Sequence, residues 1–140
     1  MGLGCQGAAF FGQATEGVIL LDTHALIWLH LDKPRARALT TSGKKLFMSP
    51  ISLLELGLLV EVGKIGLRHG AELSSIADDP RWRVDSPPSD AWMRAALDFP
   101  WTRDPFDRLL VAHARLRRWK LATADTMLLE NLRASEVVEL

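Results

Sequence analysis

The chain has 140 residues, 48 % of them apolar, which suits one compact domain with a real core. Lys plus Arg (17) balances Asp plus Glu (17), so a uniformly basic nucleic-acid clamp is excluded and any charge offered to a polyanion must be local. The single cysteine, Cys5, excludes an internal disulfide framework and fits a reducing, cytoplasmic setting.

Residues 1–17 are rich in Gly and Ala and contain no Lys or Arg. They lack the basic start and long apolar stretch of a secretory signal and read as a disordered tail, leaving 18–140 as the folded domain. Val18-Ile-Leu-Leu21 is a β-branched apolar run and reads as a buried strand. A helix is expected over 24–31, broken at Lys33-Pro34, and a shorter one over 35–42, closed by Gly43. Leu46-Phe-Met48 reads as a second strand. Ser49-Pro50 looks like an N-cap followed by proline in the first helical position, opening a helix that runs to Gly63. Further helices are expected over 70–78 and 89–98, with a short strand at 82–84 between them. Asp104-Pro105 opens a long helix reaching Trp119, 121–123 is a strand, 126–132 a helix and 137–140 a terminal strand. No apolar run reaches the roughly 18 residues of a membrane span. Strands that are continuous apolar runs alternating with helices predict an α/β fold: a three-layer α/β/α sandwich around a central, mostly parallel sheet.

Five acids stand out by position. Asp22 closes the first strand, Glu55 lies on the helix after the second, Asp104 and Asp107 open the long helix, and Asp125 follows the strand at 121–123. Ligands of open α/β sheets bind outside the carboxyl ends of the strands. Several of these acids also have a local structural role open to them. Asp104 and Asp125 can cap the helices that follow them, and Ser52 with Glu55 would form a capping box if the helix began at Ser52. Asp22 has no obligatory turn role. Carboxylates converging on one edge would repel one another, and a hard dication such as Mg²⁺ relieves that repulsion with oxygen ligands alone. Such an ion can activate water against a phosphodiester, a chemistry that needs no nucleophilic Ser or Cys.

These segments resemble a known family. Val18-Ile-Leu-Leu-Asp22-Thr-His-Ala-Leu-Ile-Trp28 resembles the opening of PIN domains of the VapC toxin type. Ser49-Pro-Ile-Ser52-Leu-Leu-Glu55-Leu resembles their second motif, and Gly63-Lys-Ile-Gly-Leu67 the segment after it. Arg103-Asp-Pro-Phe-Asp107-Arg-Leu-Leu-Val-Ala-His-Ala114 resembles the third, and Leu121-Ala-Thr-Ala-Asp125 the fourth. The resemblance spans roughly 18–140 in order and implies a Mg²⁺- or Mn²⁺-dependent ribonuclease, the toxin of a toxin–antitoxin pair. It implies a catalytic quartet of Asp22, Glu55, Asp107 and Asp125, with Asp104 a frequent fifth acid. Metal ligation would fall to Asp22, Asp104, Asp107 and Asp125. It also implies an RNA substrate, a cognate antitoxin and a homodimer. One position departs: relatives often carry His where this chain has Thr102.

Around the acids, Arg103 and Arg108 are candidate RNA-phosphate contacts, and the Thr123 hydroxyl could orient a ligand or a water from behind. Arg115, Arg117, Arg118 and Lys120 read either as a phosphate grip or as a solvated helix terminus. Trp28 and His113 read as packing residues, and Trp101 either as packing or as a surface for a base. The four histidines show no paired spacing, which argues against zinc. His24, two residues after Asp22, argues against a haloacid-dehalogenase-like phosphatase, whose general acid would stand there. The alternative from another class is a PIN-fold protein that is catalytically silent and acts as a binding module. The helix segments 24–31 and 52–62 carry more large aliphatics than one side of a small sheet needs, which points to a covered surface.

Overall fold

A computed structural model describes residues 17–140. Of the tail expected over 1–17, residues 1–16, with Cys5, lie outside the described residues. Five strands form a single sheet: β1 (Val18–Leu21), β2 (Lys45–Met48), β3 (Arg83–Val84), β4 (Lys120–Thr123) and β5 (Val137–Glu139). Their order is β3-β2-β1-β4-β5, and every neighbouring pair is parallel. The sheet is therefore wholly, not mostly, parallel. From β1 the chain moves outward through β2 to β3, then returns to the other side of β1 for β4 and β5. The reversal puts a crevice at the carboxyl ends of β1 and β4.

Among the described residues, seven α-helices cover the two faces: α1 (Thr23–His30), α2 (Arg37–Thr41), α3 (Pro50–Glu61), α4 (Leu73–Ala77), α5 (Ser89–Ala95), α6 (Pro105–Arg117) and α7 (Thr126–Asn131). Successive side chains of β1 point to opposite faces. Ile19 and Leu21 join Leu26, Leu46, Met48 and Leu56 in one core, while Leu20 joins Trp92, Leu110, Leu121 and Leu128 in the other. Two cores flanking one sheet make the expected three-layer sandwich.

The element boundaries follow local chemistry. Ser49 caps α3 through a hydrogen bond from the Ile51 N–H, with Pro50 in the first turn. The start at Ser49-Pro50 therefore holds, and the capping box at Ser52 does not form: Ser52 is buried inside the helix. Gly63, at φ +75°, takes the left-handed position that ends α3, where only glycine avoids a steric penalty. α6 ends the same way without glycine, since Arg118 adopts φ +59°. The helix thus stops at Arg117, two residues before the expected Trp119.

The surplus of aliphatics resolves unevenly. α1 buries Ala25, Leu26, Ile27 and Leu29 completely or nearly so. On α3 and just beyond it, Leu53, Leu54, Leu58 and Val62 stay exposed, Leu54 by 56 % and Val62 by 65 %. Only the second segment leaves an apolar surface uncovered.

Candidate active site

The five acids stand on four elements: Asp22 follows β1, Glu55 lies on α3, Asp104 and Asp107 open α6, and Asp125 opens α7. Asp22 follows β1 directly and is 5 % exposed. Contrary to the sequence reading, it also supports the scaffold. It is the N-cap of α1, and its Oδ1 accepts the Ala25 N–H at 2.7 Å. Asp104 caps α6 by accepting from the Phe106 N–H at 2.8 Å and the Asp107 N–H at 3.4 Å. Asp125 caps α7 by accepting from the Leu128 N–H at 3.0 Å. Three helix N-termini, each with a partial positive charge, therefore begin at these acids. Glu55 and Asp107 do no capping. Glu55 instead accepts a hydrogen bond from the buried Thr23 hydroxyl, which also contacts Ser52 Oγ at 3.1 Å. Ser52 serves the site from behind Thr23, a role its reading as a capping residue missed.

Thr123 is fully buried at the end of β4 and ties two acids together. Its hydroxyl donates to the Asp22 carboxylate and accepts the Asp125 N–H at 3.0 Å. Thr102, the position that departs from the resemblance, is buried, and its hydroxyl accepts the Asp104 N–H at 3.2 Å. Arg108 is turned back toward this loop: its Nε donates to the Thr102 carbonyl at 2.7 Å. Arg103 is exposed beside Asp104. Trp101 is half-buried and packs near Phe99, with ring centres 6.2 Å apart.

The electrostatics couple the acids. Burial, followed by repulsion from Asp104, Asp125, Glu55 and Asp22, pushes Asp107 up to about 7. Asp22 is raised chiefly by burial, against the pull of the Thr123 and Ala25 hydrogen bonds. Glu55 is raised by burial too, with Thr23 opposing and Asp104 adding repulsion. Asp107 thus lies within electrostatic reach of the other four acids. Among the described residues, no group of three or more His, Cys, Asp or Glu side chains is arranged to hold a metal ion. The donor set nevertheless suits a hard dication: it is all oxygen, and burial with mutual repulsion raises Asp22, Glu55 and Asp107, a repulsion that a cation would relieve.

Residues 19–133 match the family model described as the PIN domain. The chain belongs to the PIN-domain family. Among curated proteins no sequence matches it. Solved structures show the same fold at low identity. This PIN domain is similar to a chain of a toxin–antitoxin complex from Klebsiella pneumoniae, with TM-score 0.65 and 20 % identity over 87 % of this chain and 99 % of that one. It is similar to a chain of VapBC2 from Rickettsia felis bound to a promoter DNA fragment, with TM-score 0.62 and 15 % identity over 88 % and 98 % of the two chains. A chain of FitAB bound to an IR36 DNA fragment matches with TM-score 0.55 and 20 % identity over 87 % and 93 %. Among the described residues no helix is long and apolar enough to cross a membrane.

A second polar cluster, which sequence reasoning did not single out, lies away from the acids. His113 is fully buried, as its packing role predicts, and its Nε2 lies 2.7 Å from Asp85 Oδ2. Arg117 grips both oxygens of Asp85, at 2.9 and 3.2 Å. The cluster pins the C-terminal half of α6 to the end of β3, and with it the helix whose N-terminus carries Asp104 and Asp107. Asp85 gave no sequence signal because its partners stand 28 and 32 residues away.

Proposed function

We propose that this PIN domain is a divalent-metal-dependent ribonuclease and the toxin of a cytoplasmic toxin–antitoxin pair. The observation that carries the reading is Asp107, raised to about 7 by burial and by four neighbouring acids. A fold that gathers so much negative charge where open α/β sheets bind ligands holds a site for a cation. The roles follow from the residues. Asp22, Asp104, Asp107 and Asp125 would hold Mg²⁺ or Mn²⁺, and Glu55 completes the catalytic quartet with Asp22, Asp107 and Asp125. The ion supplies charge stabilisation at the scissile phosphate and a water activated near neutral pH. Glu55, held by Thr23, would take a proton, a role that its raised proton affinity supports. Thr123 positions Asp22 and Asp125 together. Arg103 is free to reach RNA phosphate, while Arg108 would have to give up its loop bond to do so.

The partners proposed are an RNA substrate, a second copy of the chain and an antitoxin. Exposed Leu53, Leu54 and Leu58 line a shallow apolar groove with Pro50, Gly57 and Leu73, which supports a covered surface on α3. The three capping bonds give the silent-module reading its one foothold, since they would retain Asp22, Asp104 and Asp125 without catalysis.

The deciding experiment compares wild type with Asp22→Asn. Asn keeps the cap and the volume but removes a ligand charge. The nuclease reading expects Mg²⁺- or Mn²⁺-dependent RNA cleavage that stops in EDTA and falls about a thousandfold in the variant, with the melting temperature unchanged or raised. Expression of wild type without an antitoxin should arrest growth, and the variant should be tolerated. Equal cleavage by the two proteins would reject the assignment of Asp22. Absence of cleavage by wild type on total RNA with either metal would favour the silent module.

A further inference from the structure

A wholly parallel sheet puts every strand's amino end on one edge, opposite the acids. That edge is basic. Lys45, Arg83 and Lys120 begin β2, β3 and β4, Lys44 immediately precedes β2, Arg118 stands two residues before β4, and Arg133 precedes the 3-10 turn that leads into β5. All six are exposed. They line three hollows of about 440, 470 and 290 Å³ that run into one another: the first two share Arg118, Lys120 and Ser135, and the last two share Lys44. Among the described residues the only acid lining them is Glu136, which is already paired with Arg115 and Arg133. Among the described residues, this edge is a segregated positive belt. Across five strands spaced about 4.8 Å apart, it extends about 19 Å.

We propose that this belt is an RNA-backbone site, a second contact for the substrate on the end of the sheet away from the cleavage centre. The choice of RNA rests on the ribonuclease reading; the belt itself does not. Its length and spread of cations suit a run of phosphates rather than one anion. Among the described residues, none of the large exposed apolar side chains lines the hollows, which favours a polyanion over a lipid surface. The acidic edge cannot do this work without metal, because five carboxylates repel phosphate. Two ends of opposite sign let a folded RNA be held by its backbone at one and cut at the other.

The test uses the full chain in EDTA, where cleavage is off and the acidic edge repels RNA. The probe is a fluorescein-labelled oligouridylate of about 20 nucleotides. Binding should weaken about tenfold or more in the triple variant Lys44→Gln, Lys45→Gln, Lys120→Gln, and the salt slope of log K should drop by about 2, near 0.7 per lost contact. Glutamine keeps the aliphatic stems, and an unchanged melting temperature certifies the fold. Should the triple variant not fold, Lys44→Gln alone should lower the slope by about 0.7. Wild-type binding that is absent, or that the variants leave intact, overturns the proposal, as does binding to phosphatidylserine vesicles with none to RNA. The two readings fail separately. A protein that binds RNA through the belt but never cuts it sinks only the nuclease reading; one that cuts RNA while the triple variant binds normally sinks only the belt.

Discussion

Replacing Asp107 by Asn should stabilise the metal-free protein. At pH 8 the folded chain carries a carboxylate at 107 whose proton affinity has risen from 3.8 to about 7. At about 1.4 kcal/mol per unit, holding it ionised destabilises the fold by at most about 4 kcal/mol relative to a neutral isostere. Asp107 is half-buried, so solvent screening brings the expected gain to about 1–2 kcal/mol. For a domain of this size that is roughly 3–8 °C in melting temperature. The pH dependence carries a sign. A carboxyl whose folded affinity exceeds its unfolded one takes up a proton on folding between those two values, so wild type gains stability as pH falls from 8 toward 4. The advantage of Asp107→Asn should therefore be largest at pH 8 and clearly smaller at pH 5, vanishing only below the unfolded value of 3.8. Mg²⁺ should raise the melting temperature of wild type and leave the variant almost unmoved. Thermal melts of both proteins in EDTA at pH 5 and 8, then with Mg²⁺, decide the matter. A variant less stable than wild type at pH 8, or a gap independent of pH, would refute the idea that these acids repel one another.

Three further outcomes are expected. Thr123→Val removes the hydroxyl shared by Asp22 and the Asp125 N–H, so cleavage or metal affinity should fall about 10- to 100-fold, as read by metal titration of the reaction. His113 resists protonation because it is buried, despite the pull of Asp85. Its depressed affinity contributes stability that is complete above the unfolded value of about 6.5 and is lost as pH falls through the folded one, and His113→Gln should flatten that part of the stability curve. Leu58→Glu on the exposed face of α3 should leave the stability within about 0.5 kcal/mol of wild type yet shift light scattering from dimer to monomer; a wild-type monomer at micromolar concentration would count against the dimer.

Most of the fold was legible because the strands are short apolar runs and several helices start with a capping signal. Ser49-Pro50 and Asp104-Pro105 announced α3 and α6 to the residue. The end of α6 was not announced, because Arg118 takes a left-handed conformation that sequence assigns to glycine. The five acids could be picked out from their positions after strands, but not the way they are held. Thr23 meets Glu55 across 32 residues, and Asp85 meets Arg117 across the same separation. Such bonds depend on which helices become neighbours, and periodicity within a segment carries no trace of that. The two aliphatic-rich helices looked alike in sequence. Only packing distinguishes α1, which is buried on nearly every side, from α3, whose outer leucines stay exposed among the described residues.

The division of labour among the acids bears on how such a chain can lose its activity. Asp22 and Asp125 hold helix ends with one carboxyl oxygen, whereas Asp107 and Glu55 hold none. Under selection against the activity, the two pairs should leave different substitution spectra. At Asp22 and Asp125 surviving inactive proteins that still fold should be enriched in Asn, Ser, Thr and Gly, which are tolerated at a helix cap. At Asp107 and Glu55 many residues should survive, alanine included. A library selected for survival, then screened for soluble protein, would therefore separate the acids that hold the scaffold from those that serve chemistry alone, by the breadth of what replaces them.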